Sequence, residues 1–460
     1  MNTETTIKPY GANRTTAELR AAFTAGRVPV AVYGLGKMGL PIAAVYAENS
    51  GNVRGVDIDP AVVDRINDGD CPITGEPGLP ALVSDLVSSG ALEATDSPER
   101  AAAEASVHVV IVPTVVDDGR TPDLSALDAV TNDIAGGLDN GDMVVLESTV
   151  PPGTCTERVR PRLEAESGPE TDSFGLAFAP ERTASGRALA DIRGAYQKIV
   201  GGFDKESTRV ATAIYDEISD NEVYPVSDTT TAECVKVFEG VYRDVNIALA
   251  NELGTFADDL SIDVREAIAA ANTQPYCDIH DPGPGVGGHC IPYYPWFVVD
   301  SVDNEASLIE TARSVNESMP AFTVDRVIAG LSRRDILVSE AQILLLGVTY
   351  RPGIAETREA PAYPIATLLR DAGATVYAAD PVLDDFGALD ATPVDVSEVS
   401  ALSLDAAVLI TPHESFDDID WSAFTDLFVL DSRDALDDGD VPHEVDTLGV
   451  ANDPDGDDRR

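Results

Sequence analysis

The chain has 460 residues and a formal net charge of -49, because 80 aspartates and glutamates stand against 31 lysines and arginines. This length exceeds what one hydrophobic core usually supports, so we expect two or three domains, and the acidic balance excludes nucleic acid as a natural partner. The acidic residues are spread along the whole chain, which is typical of a surface that stays soluble in concentrated salt. We therefore expect an extreme halophile as the source. Recruitment of a basic partner is the alternative.

The first residues lack the apolar core of a secretory signal, and no apolar run approaches the roughly 20 residues of a membrane span. We therefore expect a cytoplasmic protein without membrane insertion. Residues 1–27 resemble a polar N-terminal extension. From Val28 the pattern is strand, glycine turn, helix and strand, with further strand-like runs at VHVVIVPT, DMVVLEST and FGLAFAP. This alternation predicts a doubly wound parallel sheet over residues 28–203.

Residues 204–318 differ, because apolar residues three or four apart between Thr229 and Leu260 predict one long helix. Thr230 and Glu233 form a plausible capping box at its start. A helix of this length can be a spine and a dimer surface, which leads us to expect a homodimer or higher homo-oligomer. An ordinary core helix is the alternative.

The strand and helix alternation resumes in residues 319–448, at AQILLLGV, ATVYAAD, AAVLITP and LFVLDSRD, and residues 449–460 form an acidic tail. This pattern predicts a second, smaller α/β domain. The expected fold is thus α/β, with two Rossmann-like doubly wound parallel-sheet domains joined by a central long helix.

A dinucleotide-binding signature follows the first strand. Gly34, Gly36 and Gly39 form G-x-G-x-x-G at the opening of a helix, where the first glycine permits the turn, the second lets a pyrophosphate approach and the third allows helix packing. Asp57 ends the next strand at the spacing expected for a carboxylate that binds ribose hydroxyls. Because Asp57 and Asp59 would repel a 2′-phosphate, NAD is favoured over NADP. A purely structural glycine turn is the alternative.

A second glycine-rich segment, DPGPGVGGHC at residues 281–290, cannot be the interior of a helix or strand. Its glycines would let backbone amides wrap around a ligand and present Cys290 to the reacting carbon. Taken alone, a free cysteine is more often a small buried hydrophobe. The five cysteines are scattered, odd in number and without CxxC spacing, so we expect reduced thiols and no metal site.

The order of motifs resembles the UDP-glucose/GDP-mannose dehydrogenase family, whose hallmark is a G-x-G-G-x-C segment. The resemblance covers nearly the whole chain, and FEGVYRDVNIALANEL is most similar to members that oxidise UDP-N-acetylmannosamine. It is carried by these motifs in chain order: VYGLGKMGLP, GVDID, CPITGEPGL, VPT, LESTVPPGT, APERTASGRAL, AECVK, GPGVGGHCIP, ARSVNESM and LGVTYRPGIAETREAP.

The resemblance implies oxidation of a UDP-sugar hydroxymethyl group to a carboxylate in two hydride steps, each using an NAD, to give a precursor of surface polysaccharide or protein glycans. Cys290 would hold the aldehyde as a thiohemiacetal and then a thioester. Lys236 would stabilise the oxyanion, and Glu181 would act with water as acid or base. We therefore expect the Cys290 thiol beside the nicotinamide and near Lys236.

The remaining residue assignments also come from the resemblance. Thr114 would hold the catalytic water and, with Glu147, Ser148 and Thr149, line the nicotinamide; an ordinary strand end with capping hydroxyls is the alternative. Residues 319–448 would be the UDP-binding domain. The glycine turn would bind the cofactor also through Lys37 and Met38. The expected substrate-binding residues are Arg243, Gly287, His289, Arg351 and Arg358.

Two positions depart from the family pattern. The asparagine usually found four residues after the lysine is Gly240, and the aspartate usually found four residues after the cysteine is Tyr294. Glu181 is thereby left as the better candidate for the base. Either this is a subgroup with a differently built water site, or the chain is an inactive nucleotide-sugar-binding paralogue. UDP-glucose or another UDP-sugar is the alternative substrate, and a single-step hydroxyacid or sugar dehydrogenase the alternative reaction.

Overall fold

The computed structural model describes residues 6–11, 13–117, 119–167, 173–183, 186–437 and 441–452. The chain divides into two compact units. The first comprises Met1–Glu239 and Trp296–Asp303, and the second comprises Gly240–Pro295 and Asn304–Arg460. Most of the predicted acidic tail lies outside the described residues.

The first unit contains a sheet of eight short strands in the order β10-β9-β8-β7-β4-β1-β2-β3 and a separate two-stranded antiparallel pair, β5 with β6. Several of these strands are apolar and buried along their whole length, as expected when helices cover both faces of a sheet. The strands are β1 Val30–Tyr33, β2 Val53–Val56, β3 Leu92–Thr95, β4 Val107–Val110, β5 Val115–Val116, β6 Pro122–Asp123, β7 Met143–Leu146, β8 Gly175–Phe178, β9 Ile199–Gly202 and β10 Tyr224–Val226.

One pairing departs from the predicted parallel sheet, since β8 and β9 are antiparallel. In the described part of the connection between them, residues 179–183 and 186–198, the helices are two single turns, Ala188–Ala190 and Asp191–Ala195, in place of the long crossover helix that usually joins parallel strands. The α-helices described before residue 219 are α1 Thr16–Thr24, α2 Gly39–Ser50, α3 Pro60–Asn67, α4 Leu79–Ser89, α5 Pro98–Glu104, α6 Ser125–Gly137, α7 Arg160–Glu166, α8 Ala188–Ala190 and α9 Lys205–Ile218. A π-helical turn, Cys155–Val159, leads into α7.

The N-terminal segment is part of the first unit, although its composition suggested only a polar extension. Helix α1 begins with a capping box between Thr15 and Glu18 and buries Leu19 and Phe23. Ahead of it, the Lys8 ammonium lies 2.7 Å from the carboxylate of Asp142. A short amphipathic helix therefore covers apolar surface that the rest of the domain leaves open.

The long helix, α10, spans Thr229–Thr255 and is followed by a separate short helix, α11 Ala257–Leu260. The prediction of one uninterrupted helix to Leu260 was wrong at its end. A tight turn, in which the Phe256 amide donates to the carbonyl of Leu253, separates the two helices. Gly254 fits there because a Cβ would lie 2.8 Å from Pro282.

The predicted capping box at Thr230 and Glu233 was also wrong. The Asp228 side chain caps α10 instead, accepting from the Thr231 amide at 2.7 Å. Glu233 is fully buried and bonds elsewhere, as described below. Spacing alone could not distinguish these two carboxylates.

The second unit contains a six-stranded sheet in the order β13-β12-β11-β14-β15-β16, and every pairing is parallel. The prediction of an α/β fold with two Rossmann-like sheets is confirmed. The strands are β11 Gln342–Leu346, β12 Thr375–Ala379, β13 Thr392–Pro393, β14 Ala406–Leu409, β15 Phe428–Asp431 and β16 Glu444–Thr447. The helices that follow α11 are α12 Val264–Ala271, α13 Tyr294–Asp300, α14 Ser307–Arg333 and α15 Ala362–Asp371, with 3-10 turns at Val338–Glu340, Val396–Ala401, Glu414–Asp418 and Trp421–Ala423.

The predicted domain boundary at residues 318 and 319 lies inside α14, which continues through the buried Pro320. Its second half packs Val327 and Leu331 into the core of the second sheet. Within the described ranges, no helix is both long and apolar enough to cross a membrane.

Candidate active site

The glycine turn after β1 has the geometry of a dinucleotide site. Gly34 has φ +95°, and a Cβ there would lie 2.4 Å from the carbonyl oxygen of Ile111. A Cβ on Gly39 would lie 1.8 Å from the Gly34 oxygen, whereas a Cβ on Gly36 would have no protein atom within 4 Å. Packing thus explains the first and third glycines. Gly36 faces open space just before α2, where a pyrophosphate fits, and the adjacent Lys37 is exposed.

Asp57 follows β2 and ties the strand end to the glycine turn. Its Oδ2 accepts from the Leu35 amide at 2.8 Å, and its Oδ1 accepts from the Asp59 amide at 3.0 Å. The neighbouring Ile58 is 95% exposed, which is unusual for a large apolar side chain. The sequence pattern did not single it out, because an apolar residue after a strand is usually part of the core.

Hydroxyl groups join the ends of β4 and β7. Ser148 Oγ accepts from the Val112 amide at 2.8 Å and donates to the Val112 carbonyl at 2.9 Å. Thr114 Oγ1 donates to the carbonyl of Thr149 at 2.6 Å. Since β4 is the neighbour of β1, these residues and the glycine turn lie at the same carboxyl edge, where the strand order reverses.

A buried charge cluster includes Glu147, the residue that follows β7. The Lys198 ammonium is 2.6 Å from Glu147 Oε2 and 3.6 Å from Glu181 Oε2, and the Tyr215 hydroxyl donates to Glu147 Oε1 at 2.7 Å. Burial raises the pKa of Glu147 against the opposing charge of Lys198. Burial acts to lower the pKa of Lys198, but the two carboxylates outweigh it and leave that pKa raised. Glu147 is 1% exposed, and this burial does not favour direct contact with a cofactor.

Glu181 begins a loop held by several contacts. Its Oε1 accepts from the amides of Arg182 and Thr183, each at 2.6 Å. Thr183 Oγ1 lies 3.1 Å from Met38 Sδ, which joins this loop to the glycine turn. Further along, the Glu76 carboxylate accepts from the amides of Gly186 and Ala188. A pocket opens beside Glu181, lined also by Ile42, Tyr196 and Lys198.

Glu233, three residues before Lys236 on α10, anchors the start of that helix. Its carboxylate accepts from the Gly153 amide at 2.6 Å and from the Cys155 amide at 2.8 Å. Burial raises the pKa of Glu233 to about 7, against these two hydrogen bonds, which lower it. Lys236 itself is partly exposed. The helix that carries Lys236 is thus fixed to the loop after Thr149.

This arrangement predicts a pH-dependent stability. Because the pKa of Glu233 is raised by folding, its contribution is fully present below its ordinary value of 4.5 and is lost as pH rises through about 7. Between pH 5 and pH 8 the free energy of unfolding should therefore fall by about 2–3 kcal/mol through this group. We expect Glu233→Gln to lack that part of the fall, measured by urea unfolding in concentrated salt. The exposed Glu222→Gln is the matched control, and equal pH dependences in both variants would contradict the assignment.

In the second unit, Cys290 has an exposed thiol. Its carbonyl accepts from the amides of Tyr293 and Tyr294 at 3.1 and 3.0 Å, so the cysteine lies in the turn that opens α13. His289 Nε2 is 3.2 Å from Glu356 Oε2, which agrees with a supporting role for that histidine. A free, accessible sulfur on an ordered turn is the arrangement that covalent catalysis requires.

The glycines before Cys290 have a packing function. A Cβ on Gly287 would lie 2.7 Å from Tyr350 Cβ and 2.8 Å from the Glu359 carbonyl oxygen. Gly288 has φ +96° and donates its amide to the Arg358 carbonyl at 2.9 Å. These glycines therefore let the cysteine segment lie directly on residues 350–360. The sequence had suggested instead that they let the backbone wrap around a ligand.

Gly240 and Tyr294, the two positions that depart from the family pattern, are in direct contact. A Cβ on Gly240 would lie 2.4 Å from Cδ2 of the Tyr294 ring and 2.9 Å from its Cβ. The tyrosine ring thus occupies the space into which a larger residue at position 240 would project. The two departures form one steric unit.

The arginines predicted to bind substrate, Arg243, Arg351 and Arg358, are exposed. Arg433 was not among the predicted residues, because its segment resembled an ordinary strand end. Its Nε donates to the Ile410 carbonyl at 3.0 Å, and a Cβ on Gly283 would lie 2.5 Å from its Nη1. Burial, reinforced by the nearby Arg265, lowers the pKa of Arg433 to about 10. In the part of the chain that the structure describes, no cluster of three or more potential metal ligands is found.

Three family models match successive parts of the chain. They describe the UDP-glucose/GDP-mannose dehydrogenase family: its NAD binding domain matches residues 28–219, its central domain residues 230–318, and its UDP binding domain residues 344–438. The glycine turn and Glu181 fall in the first match, Cys290 in the second, and Arg351 and Arg358 in the third.

Individual proteins are similar over most of their length. The chain is 36% identical over 390 residues to a UDP-N-acetyl-D-mannosamine dehydrogenase of Methanococcus aeolicus, covering 84% of this chain and 85% of the relative. It is 37% identical over 415 residues to an NDP-N-acetyl-D-galactosaminuronic acid dehydrogenase of Ralstonia nicotianae, covering 88% and 95%. The solved structure of a UDP-D-ManNAc dehydrogenase from Pyrococcus horikoshii matches with a TM-score of 0.83 at 33% identity, covering 92% of this chain and 99% of that one.

Proposed function

The chain belongs to the UDP-glucose/GDP-mannose dehydrogenase family, and we propose that it oxidises UDP-N-acetyl-D-mannosamine to UDP-N-acetyl-D-mannosaminuronate. It is an NAD-dependent UDP-sugar dehydrogenase. The substrate proposal is supported by the Methanococcus and Pyrococcus relatives, whose names specify that sugar. The exposed thiol of Cys290 at the end of its glycine-rich segment is the observation that carries the chemistry.

In the proposed reaction NAD, held by the glycine turn and Asp57, supplies the hydride acceptor for both oxidations. The Cys290 thiolate adds to the aldehyde carbon and prevents its escape as a thiohemiacetal, which the second oxidation converts to a thioester. Lys236 supplies positive charge to the oxyanion. Thr114 orders the attacking water, Glu181 accepts its proton, and hydrolysis releases the carboxylate.

Substrate binding is proposed for the arginines and the cysteine segment. Guanidinium groups suit a diphosphate because they donate in a planar fork, and Arg351 and Arg358 lie in the match to the UDP binding domain. Arg243 is proposed to reach the substrate from α10. Gly287 and His289 act by shaping the segment that presents Cys290. Because the chemistry needs a reduced thiol, it supports a cytoplasmic location.

An assay of NAD reduction across several sugars tests the proposal. We expect UDP-N-acetylmannosamine to give two NADH per sugar and the highest kcat/KM, above UDP-glucose, UDP-N-acetylglucosamine and GDP-mannose. UDP-N-acetylgalactosamine belongs in the panel because the Ralstonia relative is named for a galactosaminuronic acid. One NADH per sugar would favour a single-step dehydrogenase, and tight binding without turnover would favour an inactive paralogue.

We also propose that the net charge of -49 reflects a source cell rich in salt, so the assay is run in molar salt. Full activity after dialysis into dilute buffer would contradict this. A homodimer or larger oligomer is proposed from α10, on which Tyr242 and Leu249 lie seven residues apart and are 53% and 43% exposed. A monomeric mass by light scattering in the same salt would refute it.

The role of Asp57 predicts a change in cofactor preference. In Asp57→Asn the amide oxygen can still accept from the Leu35 amide, the bond from the Asp59 amide is lost, and one negative charge that opposes a 2′-phosphate is removed. We expect the ratio of kcat/KM for NAD over NADP to fall by about 10-fold, corresponding to about 1–2 kcal/mol of repulsion. The exposed Asp64→Asn on α3 is the control and should leave the ratio unchanged. An unchanged ratio in Asp57→Asn would exclude this residue from the ribose site.

A further inference from the structure

Neither the motifs nor the proposed chemistry provides a role for Lys198, the cation of the charge cluster. Its ammonium lies between two carboxylates, 2.6 Å from Glu147 and 3.6 Å from Glu181. Glu147 and Glu181 are 1% and 8% exposed, so water screens them little. The two carboxylates contact the same nitrogen and therefore lie within about 6 Å of each other.

The two carboxylates make different contacts with Lys198. Glu147 makes the short contact with Lys198, and its other oxygen accepts from Tyr215, so this pair fixes the position of the ammonium. Glu181 keeps one oxygen on the amides of Arg182 and Thr183 and turns the other towards Lys198 at a distance longer than a hydrogen bond. Lys198 thus acts on Glu181 mainly through its charge.

Two close, buried carboxylates cannot both stay ionised without a compensating cation, because each disfavours the charge of the other. The Lys198 ammonium supplies that cation between the two carboxylates. The other charged or titratable groups around the cluster are Tyr215 and Tyr46 on the helix side and Arg182 and Asp191 at the pocket, where Arg182 is paired with Glu239.

We infer that Lys198 is a positioning residue whose charge holds the Glu181 carboxylate in place for hydrolysis of the Cys290 thioester, with Glu147 and Tyr215 as its anchor. This inference rests on the proposed function. In the step concerned, the water oxygen bonds to the acyl carbon, one water proton passes to Glu181, and the carbon–sulfur bond breaks so that sulfur leaves as the thiolate. In this proposal both oxidations precede the step in which Glu181 acts.

The test compares Lys198→Met, Lys198→Arg and the exposed Lys205→Met by rapid mixing with NAD and the sugar that the wild type oxidises. We expect Lys198→Met to release two NADH per active site in a burst and then turn over about 100-fold more slowly than wild type. Intact-protein mass should show an acyl group on Cys290. Lys198→Arg should retain most of the hydrolysis rate, and Lys205→Met should match wild type.

A purely structural role would give a different result, with lower thermal stability but no burst and no acyl-enzyme. Turnover of a folded Lys198→Met within about threefold of wild type, or slow turnover without the burst, would overturn the inference. If that variant does not fold, Tyr215→Phe decides the question, because it removes one anchor of Glu147 without changing charge. Loss of this hydrogen bond should give a burst with about 3–10-fold slower hydrolysis, and unchanged hydrolysis would overturn the inference. If the wild type reduces NAD with no sugar in the panel, it is the proposed function that has failed.

Discussion

Cys290→Ala is expected to lower the steady-state rate of uronate formation by at least about 1,000-fold. Alanine leaves the turn before α13 intact, since the hydrogen bonds there use the backbone carbonyl of residue 290. Without the sulfur, the aldehyde cannot be held as a thiohemiacetal, and no thioester can form. The measurement is NADH per sugar together with mass spectrometry of the product.

The control for this variant is Cys277→Ala, which removes another free thiol from the same unit. It should retain wild-type stoichiometry and rate. Two NADH per sugar in Cys290→Ala would show that the carboxylate forms without covalent catalysis. In that case the thioester chemistry proposed for this chain would be wrong, while its cofactor assignment would stand.

Local sequence pattern was sufficient for the parts of the fold that depend on neighbouring residues. The buried strands are short apolar runs, and the glycine turn after β1 is predictable because backbone geometry at Gly34 and close packing at Gly39 exclude a side chain. Asp57 was found by its spacing from that turn. The exposure of Cys290 agrees with what its glycine-rich surroundings suggested.

Contacts between distant parts of the chain could not be predicted from local sequence patterns. Glu233 has the spacing of a helix cap, yet its partners are the amides of Gly153 and Cys155, about 80 residues earlier. Lys198 gives no local signal, because its carboxylate partner Glu147 follows a different strand. Such pairs are set by which strand ends meet at one edge of the sheet, and no periodicity records that.

The contact between Gly240 and Tyr294 predicts that a single added methyl group lowers both stability and kcat. In Gly240→Ala the added methyl group would lie 2.4 Å from the Tyr294 ring, so the ring and the turn that carries Cys290 must shift. Overpacking of this kind costs about 1–3 kcal/mol of stability. Because a displacement of about 1 Å in a reacting group can cost about 100-fold, we expect kcat to fall by about 10–100-fold. Urea unfolding, kcat and the alkylation rate of Cys290 by iodoacetamide measure these effects.

The matched control is Gly136→Ala on α6, where a Cβ has no atom within 4 Å and alanine should be neutral or slightly stabilising. Tyr294→Ala in the Gly240→Ala background provides the sharper comparison. It removes the 2.4 Å ring contact and leaves the 2.9 Å contact with the Cβ of residue 294, so rescue should be substantial but incomplete. The two substitutions should therefore be non-additive by at least about 1 kcal/mol. If they are additive, or if Gly240→Ala alone changes neither stability nor alkylation, the two departures from the family pattern are independent, and Tyr294 does not position the cysteine turn.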